Sequence, residues 1–242
     1  MENFDFVIIG AGLFGIYASL DLEKRGYKVL LLEKEIKPYS KASLINQARV
    51  HMGYHYPRSI TTALSSRNFS ERFIFEHKEF LNQSFTSLYA IDKYGTLTNK
   101  EQFLRFTKFL NLYCEEIEIP HFFKSERLET CFKVEECTFD PFLLKDFYLS
   151  KLENSKIIKQ FNCNVESATI DQNNWNIKLK TTNNSEKFIT TKNVVNATYA
   201  SINIINKIFN LNSIDVENQL SEVVLIYSSA LSKYGLTVMD GP

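Results

Sequence analysis

The feature that most restricts the fold of this sequence is a glycine-rich turn close to its first residue. Residues 4–35 read FDFVIIGAGLFGIYASLDLEKRGYKVLLLEKE, with three glycines in the order G-x-G-x-x-G. Residues 4–9 before the turn are apolar and β-branched, and residues 13–25 after it repeat apolar side chains at helical spacing. Gly26 is placed to end that helix, and residues 28–32 form a second apolar run. This order predicts a strand, a turn, a helix and a second parallel strand.

Each glycine of the turn has its own physical role. Gly10 permits the sharp turn out of the strand, Gly12 lets a pyrophosphate approach the backbone, and Gly15 lets the helix pack closely on the strand. The helix N-terminus presents unpaired N–H groups and the positive end of its dipole to phosphates. Glu33 follows the second strand, 18 residues after Gly15 (33 − 15). A carboxylate there accepts both ribose hydroxyls of an adenosine and repels a 2′-phosphate, so the turn predicts a dinucleotide site that disfavours NADP.

Composition excludes several other classes of protein. Lys+Arg and Asp+Glu are equal at 28 each, which argues against nucleic acid or an anionic membrane as the main partner. The uncharged stretch 6–20 follows Glu2 and Asp5 rather than a basic segment, and it is shorter than the ~20 apolar residues of a membrane span. The four cysteines have no zinc-site spacing and are typical of reduced thiols. We therefore predict a soluble, cytoplasmic protein with a small-molecule substrate, no metal and no membrane span.

The segment after Glu33 bears on the choice between FAD and NAD. Residues 34–63 are polar and poor in glycine, and Pro38 and Pro57 bound a loop within them. An NAD-binding unit more often continues into another regular helix and strand. The segment therefore favours FAD.

Two stretches resemble a known family. Residues 4–35 are similar to the FAD-binding start of the D-amino-acid oxidase superfamily. NQARVHMGYHYP at 46–57 is similar to the N-S-G-V-I-H-x-G-x-Y-Y stretch of its L-2-hydroxyglutarate oxidase branch. The positions in register are Asn46, Val50, His51, Gly53, Tyr56 and Pro57, and the departures are Gln47, Ala48, Arg49 and His55. Because the departures fall around the histidine, the resemblance implies a flavin more firmly than it implies a substrate.

Two later stretches are similar to further parts of the superfamily. KNVVNATYASIN at 192–203 resembles the strand that returns to the nucleotide domain and passes near the pyrophosphate, and FNCNVESATID at 161–171 resembles the strand that touches adenine through its backbone. The glycine motif and the resemblance together predict these FAD-binding residues: Gly10, Gly12, Leu13, Phe14, Gly15, Glu33, Lys34, Ala42, Ser43, Asn46, Arg49, Val50, Val165, Asn196, Ala197 and Thr198.

Three residues of the 46–57 segment are predicted to act in catalysis. His51 is the candidate base for a substrate hydroxyl, because an imidazole exchanges protons near neutral pH. Alternatives for His51 are a structural loop histidine or a covalent link to the flavin. Arg49, with Arg58 as a second candidate, is suited to clamp a substrate carboxylate, and Tyr56 is expected to line the active site.

The predicted fold class is α/β, with a Rossmann-type FAD-binding domain interleaved with a smaller mixed-sheet α+β substrate domain. We assign residues 1–82 and 152–212 to the first domain and residues 83–151 and 213–242 to the second. Helical patterns cover 59–81 and 98–116, and residues 137–152 contain an Asp-Pro helix start with apolar spacing over four turns. Strand patterns cover 84–93, parts of 157–191 with the turn DQNNW between two strands, and two stretches of 221–239, and Asn99 with Gln102 forms a capping box. Superfamily members usually continue beyond the final YGLTVMDGP, so a C-terminal part is expected to be missing.

These features predict an FAD-dependent oxidoreductase. It is expected to move a hydride to the flavin from a C–OH or C–NH carbon of a small hydroxy acid, amine or amino-sugar derivative. The alternatives left open are a flavin-dependent sugar mutase, an NAD-linked dehydrogenase and a truncated, non-catalytic nucleotide-binding module. The sequence leaves the oligomeric state open.

Overall fold

The computed structural model describes residues 1–218, 220 and 222–241, which form two compact units. Residues 1–46 and 141–223 form the first unit, and residues 47–140 and 224–242 form the second. The predicted α/β class is confirmed, since helices pack on parallel and mixed sheets. None of the helices in the described residues has both the length and the apolar composition needed to cross a membrane.

The regular elements are numbered along the chain: β1 (Glu2–Ile9), α1 (Leu13–Lys24), β2 (Val29–Leu32), β3 (Arg49–Val50), α2 (Ile60–His77), β4 (Leu81–Asn82), β5 (Thr86–Asp92), α3 (Lys100–Phe109), β6 (Cys114–Ile117), β7 (Leu128–Val134), β8 (Cys137–Phe139), α4 (Pro141–Glu153), β9 (Ile158–Gln160), β10 (Cys163–Asp171), β11 (Asn174–Thr181), β12 (Glu186–Asn196), α5 (Ile202–Ile208) and β13 (Tyr234–Met239). Short 3₁₀ helices cover Lys78–Phe80, Ser125–Arg127 and Tyr199–Ser201.

The first unit is built on a six-stranded sheet in the order β10-β11-β12-β1-β2-β9. Strands β12, β1, β2 and β9 are parallel, whereas β10 and β11 form an antiparallel extension. All four residues of β2 are buried, as expected for a central strand covered on both faces. The carboxyl ends of β1, β2 and β12 lie side by side, since the Gly10 N–H donates to the Leu32 carbonyl and the Ala197 N–H donates to the Ile9 carbonyl.

The second unit contains a four-stranded mixed sheet in the order β13-β5-β7-β6 and a three-stranded antiparallel sheet in the order β3-β8-β4. Side chains of β5 alternate between two cores. Tyr89 and Ile91 pack with Phe103 of α3, whereas Leu88 and Ala90 lie in the other cluster. Helix α3 begins with the predicted capping box, in which Asn99 and Gln102 exchange hydrogen bonds.

Two predicted elements are wrong. The helix expected over 98–116 ends at Phe109, because Asn111 adopts a left-handed conformation (φ 51°) and Cys114–Ile117 instead pairs with β7. Residues 222–233 contain no strand, so β13 stands alone where two strands were expected; Ser221 lies outside the described residues.

The limits of the two units differ from the predicted domain limits. Residues 47–82 belong to the second unit, because β3 and β4 both pair with β8. Residues 141–151 belong to the first unit, where α4 packs against α1. Both differences arise from contacts distant in sequence, which local patterns do not reveal.

Candidate functional site

The glycine turn of the first unit joins β1 to α1 with almost no space for side chains. Gly10 has a φ of +103°, and a Cβ there would lie 2.6 Å from the Ala197 carbonyl oxygen. A Cβ on Gly15 would lie 1.8 Å from the Gly10 carbonyl oxygen, so the helix packs directly on the turn. A Cβ on Gly12 would lie 2.9 Å from the Ser43 hydroxyl oxygen. The turn is therefore a bare backbone surface leading into a helix N-terminus.

Glu33 stands at the carboxyl end of β2, beside this turn. One oxygen of its carboxylate accepts a hydrogen bond from the Ala11 N–H at 2.7 Å, and the other accepts one from the Glu35 N–H at 3.0 Å. These two bonds fix the side chain against the turn. Because a carboxylate offers about four acceptor positions, Glu33 retains the capacity to accept further hydroxyl donors.

Residues 42–46 form a loop against the start of α1. The Ser43 hydroxyl accepts the Leu13 N–H at 2.9 Å and so caps a helix that has no side-chain cap of its own. The Asn46 amide donates to the carbonyls of Ala42 and Ser43, which shapes the loop. Ser43 keeps its hydroxyl proton for a further acceptor at this helix terminus.

The end of β12 completes the same edge of the sheet. Asn196 uses its side chain internally: its amide donates to the Ile202 carbonyl and the Asn206 side chain, and its oxygen accepts from Thr198. The side chain of Asn196 thus holds the turn into α5. Ala197 supplies the carbonyl that lies against Gly10.

The start of β10 lies next to the acid at the end of β2. The N–H groups of Asn162 and Cys163 donate to the carbonyls of Glu35 and Glu33, both at 3.0 Å. Val165 follows two residues later, with its side chain in the core. The stretch predicted to touch adenine therefore runs beside the acid predicted to bind ribose.

The second unit contains a separate cluster of ionisable side chains around Glu136. This carboxylate is buried, and one of its oxygens accepts hydrogen bonds from Arg49 and from the Tyr89 hydroxyl, the latter at 2.9 Å. Arg49 also donates to the Tyr89 oxygen. Burial acts to raise the pKa of Glu136, but His51, Arg49 and Tyr89 together lower that pKa below its ordinary value. Glu136 is therefore a buried anion held by a partly buried arginine.

His51 lies on the other side of the same carboxylate. Its Nδ1 atom is 3.8 Å from the second oxygen of Glu136, and its side chain is 34% exposed. The rings of His55 and Tyr56 lie 5.5 and 5.9 Å from the His51 ring. Burial, followed by the charges of Arg49 and His51, lowers the pKa of His55.

A cavity of about 600 Å³ in the second unit is lined by part of the 46–57 segment and by the residues around β13. His55, Tyr56 and Arg58 contribute from the first and Asp240 from the second. Tyr56 and Arg58 thus line one cavity, whereas Arg49 is committed to Glu136.

Comparison with known proteins identifies the family. The FAD-dependent oxidoreductase model (DAO) matches residues 5–232. The chain belongs to this family. The FAD-dependent monooxygenase FPY4 of Fusarium mangiferae is 34% identical over 90 residues, which are 37% of this chain and 24% of FPY4. The predicted FAD cofactor and membership of the D-amino-acid oxidase superfamily are confirmed.

Solved structures show the same fold at low sequence identity. The L-amino acid deaminase from Proteus vulgaris matches with a TM-score of 0.66 and 14% identity, over 88% of this chain and 51% of the deaminase. Glycine oxidase from Geobacillus kaustophilus also has a TM-score of 0.66, with 15% identity, over 88% of this chain and 60% of the oxidase. The chain thus spans between half and two thirds of these two structures and about a quarter of FPY4.

The first unit fits the adenosine half of FAD. The turn exposes backbone without side chains, a helix N-terminus and a serine hydroxyl supply donors, and a fixed carboxylate supplies acceptors. These features bring together many of the predicted residues at one edge of the sheet: Gly10, Gly12, Leu13, Gly15, Glu33, Ser43, Ala197 and Thr198. The side chains of Phe14 and Lys34 are exposed, and Arg49 and Val50 lie in the second unit.

Sequence reasoning missed Tyr89 and Glu136. Tyr89 is one apolar-patterned position of a strand, and Glu136 is the second of two adjacent glutamates in KVEECTF. The only signal was a pair of adjacent acids, which many surface loops share. Their role is visible only once β3, β5 and the β7–β8 connection are brought together.

Proposed function

We propose that this chain is the FAD-binding and part of the substrate-binding portion of an oxidoreductase that removes a hydride from a C–OH or C–NH carbon. The substrate class is a small hydroxy acid, amine or amino-sugar derivative. The observation that carries the proposal is the glycine turn without space for Cβ atoms, beside the fixed carboxylate of Glu33. FAD, when bound, supplies the two-electron acceptor.

The residues of the 46–57 segment are assigned to the substrate. His51 accepts the proton of the substrate hydroxyl or amine, because it is the partly exposed imidazole beside a buried anion. Arg58 binds an acidic group of the substrate and Tyr56 packs beside it, since both line the 600 Å³ cavity. Arg49 was predicted to clamp a substrate carboxylate. Because Arg49 already pairs with Glu136, it is less available to bind a second carboxylate. We therefore assign the clamp to Arg58.

FAD binding in the first unit is assigned to four groups. The backbone of 10–15 and the Ser43 hydroxyl bind the pyrophosphate, Glu33 binds the ribose, and the backbone near Val165 contacts adenine.

A cytoplasmic location and a kinship with the L-2-hydroxyglutarate oxidase branch remain predictions. All four cysteines are thiols in the structure.

Anaerobic reduction of the flavin tests this proposal. The purified flavoprotein is mixed in a stopped-flow instrument with 2-hydroxy acids, secondary amines and amino sugars. Bleaching of the flavin absorbance by one of these classes is the expected result, and His51→Ala should slow the bleaching far more than it weakens FAD binding. No reduction by any class would favour a non-catalytic nucleotide-binding module.

Monooxygenation is the second candidate, because FPY4 is named an FAD-dependent monooxygenase and is 34% identical over 90 residues. Turnover under ¹⁸O₂ separates the two reactions. A hydride oxidation leaves the label in hydrogen peroxide or water, whereas a monooxygenation places one labelled oxygen atom in the product.

A further inference from the structure

The two oxygens of the buried Glu136 carboxylate have different surroundings. One oxygen accepts from both Arg49 and the Tyr89 hydroxyl. The other is buried and has no hydrogen-bond donor within the described residues. The Nδ1 atom of His51 is likewise buried and unpaired in the described part of the chain, and it lies 3.8 Å from that oxygen. Two unpaired atoms of complementary chemistry therefore face each other.

An unpaired buried carboxylate oxygen costs free energy, and a neutral imidazole has one ring nitrogen that can donate. A shift of about 1 Å brings the 3.8 Å separation into hydrogen-bond range. Because an anionic carboxylate oxygen only accepts, the pair is satisfied only when the proton of His51 is on Nδ1. Nε2 is then the unprotonated nitrogen.

We propose that Glu136 is a positioning residue for His51, whose Nδ1–H donates to the unpaired oxygen of Glu136 so that Nε2 is left as the proton acceptor. This inference rests on the proposed function. In that reaction the proton leaves the substrate O–H or N–H for Nε2, and the electron pair it leaves behind forms the second bond from oxygen or nitrogen to carbon. FAD, when bound, would supply the acceptor for the hydride that leaves the same carbon.

The surrounding charges are consistent with this role. Arg49 and Glu136 balance each other, so the cluster is neutral while His51 is neutral. Tyr89 faces Glu136 as an uncharged hydroxyl, since burial and then the carboxylate raise its pKa. The rings of His55 and Tyr56 also pack near the His51 ring.

The exposure of the His51 side chain agrees with Nε2 as the proton acceptor. Its side chain is 34% exposed although Nδ1 is buried. Other atoms of the side chain therefore provide the exposure, and Nε2 is the one ring nitrogen that is left to face a substrate.

Nitrogen-15 NMR of the histidine rings tests the proposal directly. The chain contains four histidines, so ring signals of a ¹⁵N-histidine sample are few, and His51→Ala identifies the signal of His51. The expected result is the Nδ1–H tautomer for His51 in the neutral ring. Glu136→Gln should move His51 towards the Nε2–H tautomer, because Arg49 and Tyr89 hold the amide oxygen and the amide N–H then faces Nδ1 as a donor.

Glu135→Gln is the matched control, since Glu135 is the neighbouring and exposed glutamate. It should leave the His51 signal unchanged. A wild-type His51 in the Nε2–H form would overturn the proposal, and so would identical His51 signals in Glu136→Gln and wild type. The wild-type measurement stands even if Glu136→Gln fails to fold. Because neither FAD nor substrate is needed, the outcome is independent of the flavin-reduction experiment that tests the proposed function.

Discussion

The glycine turn of the first unit and the Glu136 cluster of the second differ in how their parts are distributed along the sequence. The turn is contiguous, and its partner Glu33 directly follows the next strand. The cluster joins Arg49 of β3, Tyr89 of β5 and Glu136 between β7 and β8. The turn therefore depends on local backbone geometry, whereas the cluster depends on sheet pairings that must form first.

The two regions also differ in what stabilises them. At the turn, close packing excludes side chains, so the sensitive change is the addition of atoms. In the cluster, a buried carboxylate is balanced by a partly buried arginine, so the sensitive change is the removal of one partner. Substitutions that add atoms at the turn, and substitutions that remove one partner from the cluster, can test this difference.

The largest effect is expected for Gly15→Val. Its Cβ would lie 1.8 Å from the backbone oxygen of Gly10, and the backbone has no flexible end that can move away. We expect a loss of more than about 4 kcal/mol in the free energy of unfolding, or no folded protein. Urea denaturation followed by circular dichroism measures it.

Gly26→Ala is the control for this substitution. Gly26 also has a positive φ, +91°, but no atom lies within 4 Å of a Cβ placed there. Only backbone strain of about 1–2 kcal/mol is expected. If Gly26→Ala cost as much as Gly15→Val, close packing would not be the constraint at the turn.

Arg49→Met should give the next largest effect. It leaves Glu136 buried without its cation, which costs about 3–5 kcal/mol of unfolding free energy. Arg25→Met is the control, because Arg25 makes an exposed pair with Asp21 one helical turn away. Such a pair contributes about 0.5 kcal/mol or less. Equal losses in urea denaturation for both variants would argue against a buried ion pair.

The pH dependence of stability should reflect Glu136. Its pKa in the folded chain is lowered below the ordinary value of 4.5, although burial alone would raise it. The stabilisation is therefore present above the ordinary pKa and is lost as the pH falls through the folded pKa. Glu136→Gln should flatten this acid-side loss, whereas Glu135→Gln should not, when unfolding free energies are compared between about pH 3 and 6. Matching curves for wild type and Glu136→Gln would contradict the prediction.

Asn99→Ala should have the smallest effect and tests a local feature of the second unit. It removes the side-chain acceptor of the capping box at α3, which contributes about 1 kcal/mol. Ser59→Ala is the comparison, because Ser59 makes no side-chain cap bond at α2. Thermal unfolding should show a lower midpoint for the first variant and little change for the second. The reverse order would mean that the cap is not a stabilising feature.

The features predicted from sequence were those that local geometry determines. The strand, turn, helix and strand of residues 4–32 have the predicted order, and the Asn99 cap is present. The turn at Gln172 and Asn173 also appears, with both residues at positive φ between two paired strands. Each depends on the conformations that a few neighbouring residues can adopt.

The features that sequence missed depend on distant contacts. Cys114–Ile117 reads as a helix because glutamates and isoleucine suit one, yet pairing with β7 makes it a strand. Arg49 reads as a substrate clamp because its partner Glu136 lies 87 residues away. Residues 47–82 likewise join the second unit because β3 and β4 pair with β8, which comes much later in the sequence.

The most direct test of the central claim is the binding of FAD to the glycine turn. Isothermal titration calorimetry of the flavin-free chain with FAD should show one site, and Gly12→Val should weaken it at least about 100-fold, or ~2.7 kcal/mol. The reason is that a Cβ at Gly12 would lie 2.9 Å from the Ser43 hydroxyl oxygen, so the larger side chain would displace the serine that accepts the Leu13 N–H at the start of the helix. Gly12→Val binding FAD with unchanged affinity would contradict the account.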